Sequence, residues 1–193
     1  LQIRGMPGMH TAEEMEVGHG SQDRNQLTRY RVREVFYPSD YQAASKGNDI
    51  AILWLHDPIR TAGAAVPQTI GLDWTEPSPR TCAFVTGWGE TLRQPIDGEA
   101  PTQDSDQLQI AAVPIVSQRD CDSVRGNNGS GRSDQICAGH IRGGPDSCQG
   151  DSGGPLFALQ GGKILQIGIV SWGRGCGQPG QYGFYTSVRA HRP

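Results

Sequence analysis

In "RYRVREVFY" (29–37), Tyr30 and Val32 alternate with Arg29, Arg31 and Arg33, a period of two that predicts a half-buried strand. "DIAILWL" (49–55) is instead a continuous apolar run, the pattern of a strand covered on both faces. Further strand-like runs follow at "CAFVTGWG" (82–89), "DQLQIAAVPIV" (106–116), "GPLFALQ" (154–160), "KILQIGIVSWG" (163–173) and "GFYTSV" (183–188), each bounded by Gly, Pro or Asp. Between the third and fourth of these, Gly161-Gly162 supplies the positive φ angles of a tight hairpin. One short helix is expected at "SQRDCDSVR" (117–125), with Ser117 as N-cap and Asp120 in the first turn. Residues 91–107 and 125–134 read as polar loops. The pattern contains no internal repeat and no domain boundary, so residues 1–193 read as a single β domain.

Composition agrees with many short strands and tight turns: 27 Gly and 13 Pro against only 19% charged residues in a chain of 193. A net charge of −3 with no Lys/Arg block gives no basis for nucleic-acid binding. No apolar stretch is long enough to span a membrane as a helix. The chain opens at "LQIRG" without an initiator Met or a leader, and it stops at "SVRAHRP" just after a strand-like run. The expectation is a domain truncated at both ends, a piece of a longer protein. The five cysteines allow two readings. Cys137, His140 and Cys148 as zinc ligands lack the paired Cys-x-x-Cys spacing of structural zinc. A disulfide framework suits the Gly-rich, short-stranded character better and implies an oxidising, extracellular compartment.

"PDSCQGDSGGP" (145–155) concentrates the candidate chemistry. Gly150-Asp151-Ser152-Gly153-Gly154 satisfies the G-x-S-x-G pattern of a nucleophile elbow, which needs a helix after the serine and an acid downstream. Pro155 and a strand-like run follow instead, and residues 153–193 contain no Asp or Glu, so the elbow fails. An acid must then lie upstream. Asp49, opening "NDIAIL", is a carboxylate at the head of an apolar strand and must be hydrogen-bonded there. Orienting a catalytic imidazole is one such use; capping a turn is the other.

Taken together, "NDIAIL", "VTGWGET", "VPIVS…C", "ICAGH", "DSCQGDSGGP", "IVSWGRGC" and "YGFYTSV" resemble, in order and spacing, the serine endopeptidases of the trypsin/chymotrypsin family. The match runs from about Tyr30 to Val188. It implies an all-β fold of two six-stranded antiparallel barrels, one incomplete here, with the short helix near 117–125. Ser152 resembles the nucleophile and Asp49 the acid that orients the base, the arrangement worked through in the triad template. The N–H groups of Gly150 and Ser152 resemble the oxyanion hole. Asp151 matches the acid that receives the new amino terminus after zymogen cleavage. Asp146 matches the floor of the primary pocket, implying cleavage after Arg or Lys. Ser147, Gln149, Gly173 and Gly183 line that pocket by resemblance, and Ser171-Trp172-Gly173 matches the strand that aligns the substrate backbone. The resemblance pairs Cys148 with Cys176 and Cys121 with Cys137, the latter closing a loop worth about 3 kcal/mol in the chain-entropy model.

Some features depart from the family. Its catalytic histidine lies upstream of the acid in an Ala-Ala-His-Cys context, which this sequence lacks; His10, His19, His56, His140 and His191 all stand elsewhere. The activated amino terminus and the C-terminal helix are missing too, all consistent with truncation. A family bridge is replaced by Ala83 and Ala158, leaving Cys82 as a buried free thiol or bonded to a segment outside this chain. The expected function is a secreted, zymogen-derived serine endopeptidase acting on peptides at Arg or Lys and open to protease inhibitors; this chain alone is expected to be inactive. The alternative is a non-catalytic homologue that binds or regulates. No cofactor or metal is required. Tyr182 before Gly183, where most members have proline, resembles the sodium-responsive members and implies Na⁺ held by the carbonyls of Gln178 and Gln181. Asn128 opens the only glycosylation sequon, Asn-Gly-Ser.

Overall fold

The computed structural model describes residues 11–60, 67–97, 102–125 and 133–193. The sequon at Asn128 lies outside these residues, as does His10. Strands β1 (Glu16–His19), β2 (Thr28–Phe36) and β3 (Ile52–Leu55) form an antiparallel sheet in that order. The second sheet takes β4 (Gly71–Leu72), β5 (Cys82–Gly87), β6 (Gln109–Pro114), β7 (Gln135–Ala138), β8 (Pro155–Gln160), β9 (Lys163–Trp172) and β10 (Gly183–Ser187). Its order is β6-β5-β8-β9-β10-β7, with β4 added in parallel alongside β9.

This sheet closes on itself. Just past β6, the Val116 N–H donates to the Cys137 carbonyl at 2.9 Å and the Gly139 N–H to the Pro114 carbonyl at 3.0 Å, so the last strand in the order meets the first. Closure removes the open edges that would otherwise invite pairing with other chains. Alternate residues of each strand point inward, as the pleat requires. Ala83 and Val85, Val113 and Ile115, Ile136 and Ala138, and Leu156 and Ala158 fill the barrel with Ile167, Val170 and Tyr185. Ala83 and Ala158 are direct register partners across β5 and β8, both fully buried.

Helix α1 (Gln118–Arg125) starts as its sequence requires, the Ser117 hydroxyl accepting the Asp120 N–H at 3.2 Å. Cys121–Cys137 staples it to β7 across a Cα separation of 5.6 Å. At the helix end Arg125 is buried, its guanidinium 4.9 Å from the Phe184 ring and hydrogen-bonded to Gln135. The expected hairpin is present too: Gln160 pairs Lys163, with Gly161 at φ +56° and Gly162 at +79°.

Several expectations need correcting. β3 does not begin at Asp49 and is not covered on both faces: Ile52 is 67% and Trp54 57% exposed. Among the described residues the first sheet has three strands, in keeping with the incomplete barrel expected, and the Ile52–Trp54 face carries only local cover. The Phe36 ring lies 6.3 Å from Trp54, and the Arg33 guanidinium 5.8 Å from it. The alternation along β2 is broken by a register shift between Val32 and Glu34. β6 starts at Gln109, because Asp106 and Asp104 bind Arg24 and tie the two sheets together instead. Cys82 is exposed rather than buried.

Candidate active site

The loop between β7 and β8 turns sharply around Asp151. Its carboxylate accepts the Cys148 N–H and the Gly89 N–H, each at 2.9 Å. Its own N–H reaches the Cys148 carbonyl at 3.0 Å, and the Gly154 N–H returns to its carbonyl at 2.8 Å. Burial pushes the Asp151 carboxyl above the ordinary range, offset in part by these backbone donors. This knot leaves Ser152 exposed at the tip. It also explains the glycines. A Cβ on Gly154 would stand 2.8 Å from the Asp151 carbonyl, and one on Gly150, at φ +94°, would press on Gly89 Cα at 3.0 Å. Among the described residues no hydrogen bond takes the N–H of Gly150 or of Ser152, so both remain available as donors.

Asp49 stands where the two sheets meet. Its carboxylate accepts the Ser171 hydroxyl at 2.6 Å from the end of β9, and its carbonyl accepts the Thr186 hydroxyl at 2.8 Å from β10. The Tyr41 hydroxyl also bonds to this carboxylate. Burial, reinforced by the Asp49 charge, raises the Tyr41 phenol. The acid is thus anchored across both sheets, which is more than a turn cap needs. Among the described residues no histidine bonds to it or to Ser152. His140 faces the Ala112 carbonyl at 3.0 Å, and His191 faces the Ser187 carbonyl at 2.9 Å and Asn48 at 3.2 Å.

Asp146, Ser147 and Gly183 come together as an acidic cluster, and among the described residues no contact places Gly173 in it. Asp146 accepts the N–H groups of Ser147 and Gly177, each at 2.9 Å, and burial pushes its carboxyl up. A Cβ at Gly183 would fall 3.1 Å from the Asp146 carboxylate and 3.0 Å from the Tyr185 hydroxyl, whereas at Gly173 the nearest atom would be 3.5 Å away. The Cys148–Cys176 bridge, Cα atoms 5.4 Å apart, ties the two sides of the cluster. Gln149 folds over that bridge, its side-chain oxygen 3.1 Å from Cys176 Sγ. A cavity of about 380 Å³ lies behind, lined by Gly87, Glu90, Asp146, Asp151 and Gly177 among others.

Tyr185 is a site residue that sequence reasoning did not single out. It is fully buried, its hydroxyl lies 3.0 Å from Ser147 Oγ, and burial followed by the Asp146 charge drives its phenol upward. The signal was present: Tyr185 follows Gly183 by two on one strand and so shares its face. Tyr41 gave no such signal. Neither did Gly89, where a Cβ would meet the Asp151 carboxylate and the Gln149 carbonyl at 2.6 Å.

The zinc alternative finds no support. Cys137 and Cys148 are in disulfides, and among the described residues no group of three His, Cys, Asp or Glu is placed to hold a metal. Tyr182 is buried with Cys121, Cys137 and Phe184, and the Trp172 ring stacks on Phe184 at 3.9 Å. Among the described residues no helix is long and apolar enough to cross a membrane.

The trypsin family model matches residues 9–193. The human protein Serine protease 56 is similar, 38% identical over 144 residues, which is 73% of this chain and 23% of that protein.

Proposed function

Given that this chain belongs to the trypsin family of serine proteases, we propose that it is the peptidase domain of a secreted endopeptidase cleaving after Arg or Lys. The observation that carries this reading is the half-buried Asp146 carboxylate facing Gly183, six residues before Ser152 on one loop. A carboxylate there is desolvated, and a guanidinium or ammonium meeting it restores the favourable field that burial removed. The matched span is only a small part of the human relative, so the activity of the whole protein is part of this proposal.

In the proposed reaction a histidine from outside the described residues takes the proton of Ser152 while Asp49 holds its imidazole in orientation. Ser152 Oγ bonds to the scissile carbonyl carbon, and the resulting oxyanion accepts the N–H groups of Gly150 and Ser152. Collapse returns the proton to the departing amine and leaves an acyl group on Ser152. Water, deprotonated by the same base, releases the acid. Asp151, facing the 380 Å³ cavity, suits a new amino terminus delivered by zymogen cleavage. A non-catalytic homologue remains the rival, favoured by the absence of a histidine on Asp49 among the described residues.

Hydrolysis of matched peptide esters by the full-length protein tests this. Arg and Lys esters are expected to be cleaved well ahead of Phe esters, with Ser152→Ala silent. Asp146→Ser removes a buried charge pair and is expected to cost about 2–5 kcal/mol, roughly 30- to several-thousand-fold, on Arg substrates. A preference for Phe, or Arg cleavage unchanged by Asp146→Ser, contradicts the assignment.

The same loop system suits Na⁺. Gln178 and Gln181 bracket one turn, with the Gln181 N–H 3.2 Å from the Gln178 carbonyl. Carbonyl oxygens are the donor type a hard cation prefers. Initial rates on an Arg substrate are expected to be higher in NaCl than in choline chloride at matched ionic strength, and equal rates contradict the idea. Glycosylation of Asn128 is part of the same extracellular reading.

A further inference from the structure

Asn48, immediately before Asp49, sits at φ +54°, one of only two residues other than glycine in the left-handed region among those described. Asparagine tolerates that region better than most side chains, yet the conformation still needs surrounding bonds to hold it. Here they come from every side. The Asn48 N–H donates to Asp134 Oδ2 at 2.8 Å, and its side-chain Nδ2 donates to Asp40 Oδ2 at 2.8 Å. Its Oδ1 faces His191 Nε2 at 3.2 Å, and its carbonyl accepts the Ile50 N–H at 3.0 Å.

These partners belong to different parts of the fold. Asp40 follows β2 in the first sheet. Asp134 leads into β7, and His191 follows β10, whose Ser187 carbonyl faces the other ring nitrogen at 2.9 Å. The Ser187 N–H donates to the Asp134 carbonyl at 2.8 Å, closing the ring of contacts on the second sheet. Asn48 is therefore a joint between the two sheets, one peptide away from the acid whose carboxylate must meet the catalytic imidazole. Only the φ, χ1 and χ2 torsions of Asp49 separate this joint from the carboxylate that meets Ser171, so a slip in Asn48 moves the carboxylate directly.

We infer that Asn48 is a positioning residue for the catalytic acid: its fourfold anchoring in the left-handed conformation sets the direction of the Asp49 carboxylate between the sheets. The inference rests on the proposed endopeptidase reading. A misaligned acid slows proton transfer from Ser152 without altering the slot that binds the substrate side chain, which is built from Asp146, Gly183 and Tyr185.

The test uses the full-length, activated protein. Asn48→Gly keeps the backbone freedom and removes the side chain. Asn48→Asp keeps the shape but sets a carboxylate against Asp40. Both are expected to lower kcat on an Arg ester about 10- to 100-fold, the scale of an ångström-level misplacement, with KM and benzamidine affinity within about twofold. Fluorophosphonate labelling of Ser152 is expected to slow in parallel. The double variant Asp40→Asn with Asn48→Asp reverses the donor and acceptor and is expected to recover most of the lost kcat. Unchanged kcat in both single variants with only the melting temperature reduced, or a KM effect without a kcat effect, overturns the inference. Failure of the swap to recover activity overturns it as well. A wild-type protein that neither hydrolyses the ester nor labels at Ser152 overturns the endopeptidase reading and this inference with it.

Discussion

At the scale of single residues, the candidate site is a pair of half-buried carboxylates held by backbone N–H groups. Asp146 and Asp151 each accept two such bonds, yet desolvation prevails and both carboxyls sit above the ordinary value of 3.8. The folded protein therefore binds these protons more tightly than the unfolded chain. The stability contributed by these protonated carboxyls is fully present below the unfolded pKa and is lost as pH rises through the folded value. Ligand binding follows the opposite course, because a cation needs the Asp146 anion. Benzamidine affinity is expected to fall about tenfold per pH unit on the acid side of the Asp146 pKa, beginning above 3.8, and to be low and flat in Asp146→Ser. A displacement titration from neutral to acid pH checks it; wild-type affinity that holds down to 3.8 contradicts it. Asp49, Asp146, Asp151 and Ser152 could be singled out from the sequence as candidates because each stands inside a dense local motif. Tyr41 and the joint at Asn48 were not, since their partners are set by the meeting of separate segments: Asp40, Asp134 and His191 reach one residue, Asn48, only after both sheets have formed.

Elements give the second scale. The strands of the closed barrel follow the alternation of their sequences, because each buries one face in a common core and a slip of one residue would expose it. Ala83 opposite Ala158 is the clearest case, two small side chains facing each other where the family places a bridge. Antiparallel partners lie roughly 4.5–5.5 Å apart at Cα, within disulfide range. Ala83→Cys with Ala158→Cys, in a Cys82→Ser background, is expected to form a bridge worth about 2–4 kcal/mol. Melting should rise by about 4–16 °C at this chain length. Calorimetry with and without reductant decides it, and a melting temperature indifferent to reductant contradicts the register. β1, β4 and β7 were not legible. Gly71–Leu72 has only two residues, and Gln135–Ala138 is buried at every position, so neither carries a period to read. The exposure of Ile52 and Trp54 was missed for a different reason: a continuous apolar run records what a strand can bury, while its cover is decided elsewhere in the fold.

For the molecule as a whole, the proposed function places its chemistry at the meeting of a three-stranded sheet, which leads into Asp49, and a closed barrel that carries Ser152, Ser171 and Asp146. In that proposal the residues assigned to the specificity slot, the oxyanion donors and the activation acid all lie on the barrel, so base orientation alone depends on its docking with the other sheet. The most direct measurement is the release of p-nitrophenol from p-nitrophenyl guanidinobenzoate by the full-length, activated protein. That ester places a guanidinium for Asp146 and an acyl carbon for Ser152 in one molecule. The expected result is a rapid burst approaching one equivalent per protein, absent in Ser152→Ala and slowed at least about 30-fold in Asp146→Ser. No burst from the wild-type protein, or a burst equally fast without the Asp146 carboxylate, contradicts the account.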